Sequence, residues 1–302
     1  MRKANRQPEA APLCGILLVD KPAGATSHDV VDRVRRLTGI RKVGHGGTLD
    51  PFATGLLLVL VGKATRLFDL LVPLEKEYSV IVQFGATSTT GDVDGEIKPS
   101  GGSIDKAGLA AALPQFQGLI TQQVPAYSAV KKDGEPLYRK ARRGEIIELP
   151  TREVEVSSLA LAAFDRERQQ AVFEVTCSKG TYIRKLCEDI GSALGTGAYA
   201  EALRRTAIGE HHAGNASSLE NLAALPRQSL LAEDNPSFLS CLAALYFLPM
   251  REVGKRQLEA VVSGRPIAGD ATGPLRLAAG GRLVAVYGPG ESGQIRPLVV
   301  LI

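Results

Sequence analysis

A single carboxylate, Asp50, stands in the stretch KVGHGGTLDPFATGLLLVLVGKATR, Lys42 to Arg66. It lies between a glycine-rich turn (Gly44, Gly46, Gly47) and an aliphatic run, Leu56 to Val61. The glycines permit backbone conformations closed to other residues and let a ligand approach the main chain. Pro51 stiffens the turn after the acid, and the aliphatic run anchors it in a core. Catalytic groups are commonly mounted this way, on a loop supported by a rigid strand. A turn-capping aspartate is the plainer alternative on this segment alone. No His or Cys suited to a triad accompanies Asp50, and no second acid is close in sequence. An acid working here acts alone, or with a cation or base from elsewhere in the chain.

Other candidate motifs fail on their own residues. VGKAT resembles the tail of a phosphate-binding loop, but Leu57 stands where the first glycine belongs and Ala64 where Ser or Thr belongs. DVDGE, Asp92 to Glu96, lacks the later ligands of a calcium loop and the buried strand that precedes an aspartyl-phosphate site; it reads as a solvated turn. His211 and His212 have no third ligand near them in sequence.

The elements that must carry Asp50 follow from pattern. Ile16 to Val19 reads as a short buried strand, and Ser27 as the N-cap of a helix in which Val30, Val34 and Leu37 recur until Gly39. Leu56 to Val61 reads as a strand buried on both faces, and Ala64 to Leu71 as helical. Tyr78 stands at the entrance of an alternating strand that runs to Phe84. A helix is expected around Ile104 to Leu113, then a strand in VPAYSAVK running into a turn at 132–134 and a short basic helix. Val154 to Phe164 and Ala171 to Cys177 read as neighbouring strands. They lead into a helix striped by Ile183, Leu186, Ile190 and Leu194. Past about Ser217 the pattern weakens: residues 226–240 read as a linker, and short apolar pieces from Cys241 on suggest a small β-rich domain.

Bulk properties bound the class. At 302 residues, 44% hydrophobic and 23% charged, the chain reads as an ordinary globular protein able to bury a sizeable core. The aliphatic run is too short to span a bilayer, and the polar N-terminus has no apolar signal core, so a cytoplasmic address is expected. Four scattered cysteines without a CxxC pair point to reduced thiols and away from a structural zinc. A net charge of +4 says little, but its distribution says more. Arg33, Arg35, Arg36, Arg41 and Lys42 form one basic cluster; Lys131, Lys132, Arg139, Lys140, Arg142 and Arg143 form another. Both suit phosphate contact as well as plain solvation.

Taken in order, GILLVDKPAGATSHDVV, GHGGTLDPFATGLL, KEY, VPAYSAVK with GEPLYRKARRGE, and CSKGTYIRKLCEDIG resemble the motifs of the TruB family. Those are the bacterial tRNA pseudouridine synthases that modify the T-loop uridine at position 55. The resemblance covers roughly residues 14–215. It implies an α+β pseudouridine synthase fold, with a central mixed, largely antiparallel sheet and an active site in a cleft across it. The expected organisation is a basic flexible tail (1–13), a catalytic domain (14–225), a linker (226–240) and a PUA-like RNA-binding β domain (241–302).

By the same resemblance, Asp50 is the nucleophile, Arg184 its basic partner, and Tyr78 the tyrosine that stacks on the target base and helps remove its C5 proton. His45 is implied to fill the space the flipped base vacates or to stack on neighbouring nucleotides. Tyr182 and Leu203 are implied to line the base pocket, and Lys21, with Pro22, to support the catalytic loop, Lys21 counting among the substrate-binding residues. The reaction is internal to the uridine, so neither metal nor organic cofactor is expected. The implied partner is tRNA through its T-stem-loop, with no membrane contact and a monomeric chain. Two other readings stand beside this one: a non-catalytic tRNA-binding or folding protein, and a phosphatase working from Asp92.

Overall fold

The aliphatic run around Leu56 forms the centre of the molecule. In the computed structural model, residues 14–302 are described apart from positions 129, 133, 146 and 292 and the side chain of Arg142; the expected basic tail, 1–13, lies outside the described residues. Among the described residues the main sheet has ten strands. They are β1 (Gly15–Lys21), β2 (Val43–His45), β3 (Thr54–Val61), β4 (Lys76–Phe84), β5 (Gly118–Gln123), β6 (Thr151–Asp165), β7 (Gln170–Cys177), β8 (Ala198–Ile208), β9 (His211–His212) and β10 (Phe238–Leu239). Their order across the sheet is β10-β1-β3-β8-β4-β7-β6-β5, with β2 paired to β3 and β9 to β8. The β3–β8 pair is parallel and the others are antiparallel, so the sheet is mixed and mostly antiparallel.

β3 is buried on both faces, as a continuous apolar strand should be. Leu56, Leu58 and Leu60 pack with Ile16 and Leu18 of β1, while Leu57, Val59 and Val61 pack with Val30, Val31 and Val34 of α1 (Ser27–Thr38). Where β3 begins, β8 approaches it closely. Gly55 has φ +102°, and a Cβ there would lie 2.2 Å from the carbonyl oxygen of Arg205. Only glycine fits that junction.

α1 closes at Gly39 in the left-handed conformation, as the sequence implies. Its N-cap is Thr26 and not Ser27: Thr26 and Asp29 form a reciprocal capping box. Ser27 is drawn instead into the core, for a reason given below. The segment expected to be one helix from Ala64 is a 3-10 stretch (Gly62–Leu67) that turns α-helical only over Phe68–Leu71. The strand expected in VPAYSAVK is confined to Lys131–Lys132, paired with Glu135–Pro136 and followed by the helix Leu137–Arg142. α2 (Ile183–Ala193) buries Ile183, Leu186 and Ile190 against Val80, Phe84, Phe173 and Leu203.

A second sheet is built from β11 (Met250–Glu252), β12 (Ile267–Ala268), β13 (Leu275–Ala279), β14 (Arg282–Pro289) and β15 (Gln294–Val300), in the order β11-β13-β14-β15-β12. Residues 226–240 do not behave as the expected linker. β10 extends the main sheet beside β1, and Leu230, Leu231, Asn235 and Ser237 are buried. Nor are the two sheets separate bodies, because Leu283, Val286 and Leu301 share a core with Ile16, Leu18 and Leu56. No helix among the described residues is long and apolar enough to cross a membrane.

Candidate active site

The chain on both sides of Asp50 is pinned by buried polar side chains. Ser27 Oγ accepts from the Leu49 N–H at 2.9 Å and lies 3.2 Å from the Leu49 carbonyl. Arg205, 1% exposed, donates to the carbonyls of Gly47 (3.1 Å), Thr48 (3.2 Å) and Leu56 (2.7 Å). Lys21, fully buried, donates to the carbonyls of Pro22 (2.9 Å), Ala25 (2.7 Å) and Pro51 (3.1 Å). Burial brings the Lys21 ammonium down to about 8, against the pull of Asp50. Of the three glycines in the turn, only Gly47 takes a positive φ, +134°; Gly44 lies within β2. A loop held by so many main-chain contacts gives its carboxylate one position.

Arg184, near the start of α2, fixes the carboxylate itself. Its Nε donates to Asp50 Oδ2 at 2.9 Å and its Nη2 to Oδ1 at 3.1 Å, a bidentate pair. The guanidinium is 4% exposed and fully engaged. Nη1 donates to the Thr90 carbonyl (2.6 Å) and lies 3.1 Å from Asp92 Oδ2, and Nη2 also reaches the Tyr127 carbonyl (3.1 Å). Asp50, a third exposed, carries the open side of this network.

That open side faces a cavity of about 390 Å³ lined by Asp50, Tyr78, Tyr182 and Leu203 together with Lys76 and Ser128. Four residues singled out from sequence thus meet in one place, with Arg184 behind Asp50. Burial pushes the Tyr78 hydroxyl above the ordinary tyrosine range, and the nearby Arg205 charge opposes this only in part. Lys76 is lowered to about 8 by its burial. Two further sequence-derived residues lie outside this cavity. Lys21 cannot touch a substrate, because every proton of its ammonium points to the main chain beneath the loop. His45 is not among the cavity residues. It sits edge-on to His28, with ring centroids 6.1 Å apart, and burial lowers its pKa.

Several residues escaped the sequence reading. Asp92, whose segment reads from sequence as a solvated turn, is 4% exposed and paired with Arg184. Arg205, Lys76 and Ser128 were also missed. The Ser128 hydroxyl is buried, faces the cavity, and has no hydrogen-bond partner among the described residues. Neither Asp92 nor Arg205 carried a recognisable local signal. Lys76 stood in the KEY motif and Ser128 in VPAYSAVK, so their neighbourhood was marked although their placement was not.

This geometry is that of a cation-clasped carboxylate at the mouth of an aromatic-walled pocket shaped for a flat ring, with no catalytic triad among the cavity residues. Comparison with known proteins identifies the class. Residues 35–183 match the TruB family pseudouridylate synthase N-terminal domain, and residues 184–246 the tRNA pseudouridylate synthase B C-terminal domain. The chain is 42% identical to tRNA pseudouridine synthase B of Thermobifida fusca over 295 residues, covering 95% of this chain and 98% of that protein. It is 43% identical to the protein of the same name from Azoarcus sp. over 289 residues, 94% and 93% of the two chains. Among solved structures it resembles a chain of a Cbf5-Nop10-Gar1 complex, with TM-score 0.73 and 25% identity, covering 95% of this chain and 85% of that one. It also shares its fold with a chain of an H/ACA RNP bound to a substrate RNA containing 2'-deoxyuridine, at TM-score 0.72, 23% identity and coverage of 98% and 92%. The chain belongs to the TruB family of pseudouridylate synthases.

Proposed function

We propose that this chain is a tRNA pseudouridine synthase that isomerises the T-loop uridine at position 55. The observation that carries the reading is the bidentate Asp50–Arg184 pair opening onto a cavity walled by Tyr78, Tyr182 and Leu203. A uridine stacked in a folded T-loop cannot reach such a pocket, so it is flipped out and its ring is held against an aromatic face. Asp50 is the nucleophile and Arg184 holds it in line for attack. The N1–C1′ bond breaks, the uracil turns, C5 bonds to C1′, the C5 proton leaves and N1 takes up a proton, so the product is an isomer of the substrate. Tyr78 supplies the stacking face. Its buried hydroxyl stays protonated, so it takes up the C5 proton only by passing its own onward. His45, half-buried at the end of β2, fills the space the base vacates or stacks on neighbouring nucleotides. No metal or organic cofactor enters this chemistry.

The exposed arginines of α1 and the second sheet, as a PUA-like domain, hold the tRNA backbone around the flipped base. The enzyme works as a monomer in the cytoplasm. The test is to incubate the protein with an unmodified tRNA transcript and map pseudouridine by chemical labelling. One new pseudouridine, in the T-loop at position 55, is expected. Modification elsewhere in the tRNA would overturn the assignment of the target, and none at all would favour the non-catalytic binding protein.

A further inference from the structure

Two thiols meet at the end of β1 remote from the candidate active site. β1 and β10 pair antiparallel, with Ile16 opposite Leu239 and Leu17 opposite Phe238. Two residues before Ile16 stands Cys14, and two residues after Leu239 stands Cys241. Their sulfurs lie 4.0 Å apart, the Cys241 thiol donating to that of Cys14. Cys14 directly precedes β1 and Cys241 opens the helical turn after β10. Bonded sulfurs sit about 2.05 Å apart, so the pair has only about 2 Å to close.

Access and reactivity favour the same pair. Both cysteines line a cavity of about 470 Å³, together with Lys63 and Arg282. Cys14 is half-buried. The hydrogen bond from Cys241 is the main influence lowering the Cys14 thiol to about 7, with help from Lys63 and Arg282 and against burial. A thiol of that acidity is substantially thiolate at neutral pH, the form that reacts with oxidants. Cys177 and Cys187 are each 1% exposed in the core, and burial pushes both of their thiols up.

We propose that Cys14 and Cys241 are a redox modification site that closes to an intramolecular disulfide when the protein meets a peroxide. The Cys14 thiolate attacks a peroxide oxygen: an S–O bond forms, the O–O bond breaks, and the departing oxygen leaves as water after protonation. Cys241 then attacks the Cys14 sulfur, forming the S–S bond, and the second oxygen leaves as water. Two thiols lose two electrons and two protons, and one hydrogen peroxide becomes two waters. The bond ties the start of β1 to the helical turn Cys241–Ala244. The core around that turn contains Leu283, Val286 and Leu301 of the second unit. Oxidation therefore staples the seam between the two sheets. Lys21 under the catalytic loop is the last residue of β1, seven positions and about 23 Å of strand beyond Cys14, so the staple leaves the site itself undisturbed.

The test uses the reduced full-length protein, exposed to hydrogen peroxide and then alkylated, digested and analysed by mass spectrometry. The expected product has lost two hydrogens and yields one cross-linked peptide joining Cys14 to Cys241, with Cys177 and Cys187 still alkylated after unfolding. Cys241→Ser should stop at a sulfenic acid on Cys14 that dimedone traps, and Cys14→Ser should give no cross-link. The oxidised wild type should unfold several degrees higher than the reduced form. Recovery of four free thiols, under conditions that oxidise a glutathione control, would overturn the proposal. So would cross-links found only between chains or involving Cys177 or Cys187. The readout is independent of activity, so its failure would leave the synthase reading untouched.

Discussion

Asp50 owes its position to residues far away in sequence. Ser27, Lys21 and Arg205 hold the main chain around it, and Arg184 holds its carboxylate. Arg184 is held in turn by Asp92, so a carboxylate that meets no substrate sets the angle of the guanidinium. Asp92→Asn keeps the shape and one acceptor but removes the charge that anchors Nη1. The expected effect is a fall in kcat of roughly ten- to a hundredfold, with KM within a few-fold, because small misplacements of a reacting group have large effects on rate. Steady-state kinetics over a range of tRNA concentrations check this; a variant with wild-type kcat would mean that Arg184 needs no second carboxylate. Legibility followed the same division. Asp50, Tyr78, Arg184 and Tyr182 lie in contiguous motifs and could be named from sequence; Leu203 lies outside them and came only with the family resemblance. Asp92 could not: its segment is short, polar and glycine-bounded. It is buried only because it bridges to Ala200 of β8 and meets an arginine ninety-two positions away.

At the scale of elements, periodic patterns were legible and interrupted ones were not. β3, β4, β6, β7 and the apolar stripe of α2 announce themselves, since each has an unbroken run or a clean repeat. β8 does not, although it lies between β3 and β4 in the sheet. Glu201, Arg204 and Arg205 break its alternation. The structure accommodates them by pairing Arg204 with Asp20 and turning Arg205 under the catalytic loop. The functional strand is the one whose pattern is spoiled, because its polar residues do the holding. The basic clusters separate in the same way. Arg143 is occupied by Glu135 and Glu145, whereas Arg33, Arg36, Arg41 and Lys42 are exposed and make no ion pair with the described residues. Replacing Arg33 and Arg36 of α1 by glutamine should therefore lower the slope of log affinity for tRNA against log salt, by about one for each phosphate no longer neutralised. Filter binding across a salt series measures it. An unchanged slope would make α1 a solvated face only.

For the whole molecule, the second sheet and the main sheet are one packing problem. Deleting residues 235–302 removes β10 from the edge of β1 and strips Cys241, Ala244, Leu245, Leu283, Val286 and Leu301 from the core they share with β1 and β3. The expected outcome is an insoluble chain, or a soluble one whose unfolding midpoint falls by roughly 10 °C or more. A truncated protein that melts like the full chain would show that the two sheets fold independently. Sequence could not reveal this dependence: weak patterning between 226 and 240 looks the same whether a segment links two bodies or lies in the seam between them. The central claim, that Asp50 is the nucleophile of a uridine isomerisation, has one direct measurement. Forming a C5–C1′ bond must release the hydrogen on C5, so tRNA carrying tritium at C5 of its uridines reports turnover as tritium lost to water. The wild-type protein should release one equivalent per tRNA. Asp50→Asn should release none above about a hundredth of that rate while binding tRNA within a few-fold of wild type. Sustained release by Asp50→Asn would contradict the assignment.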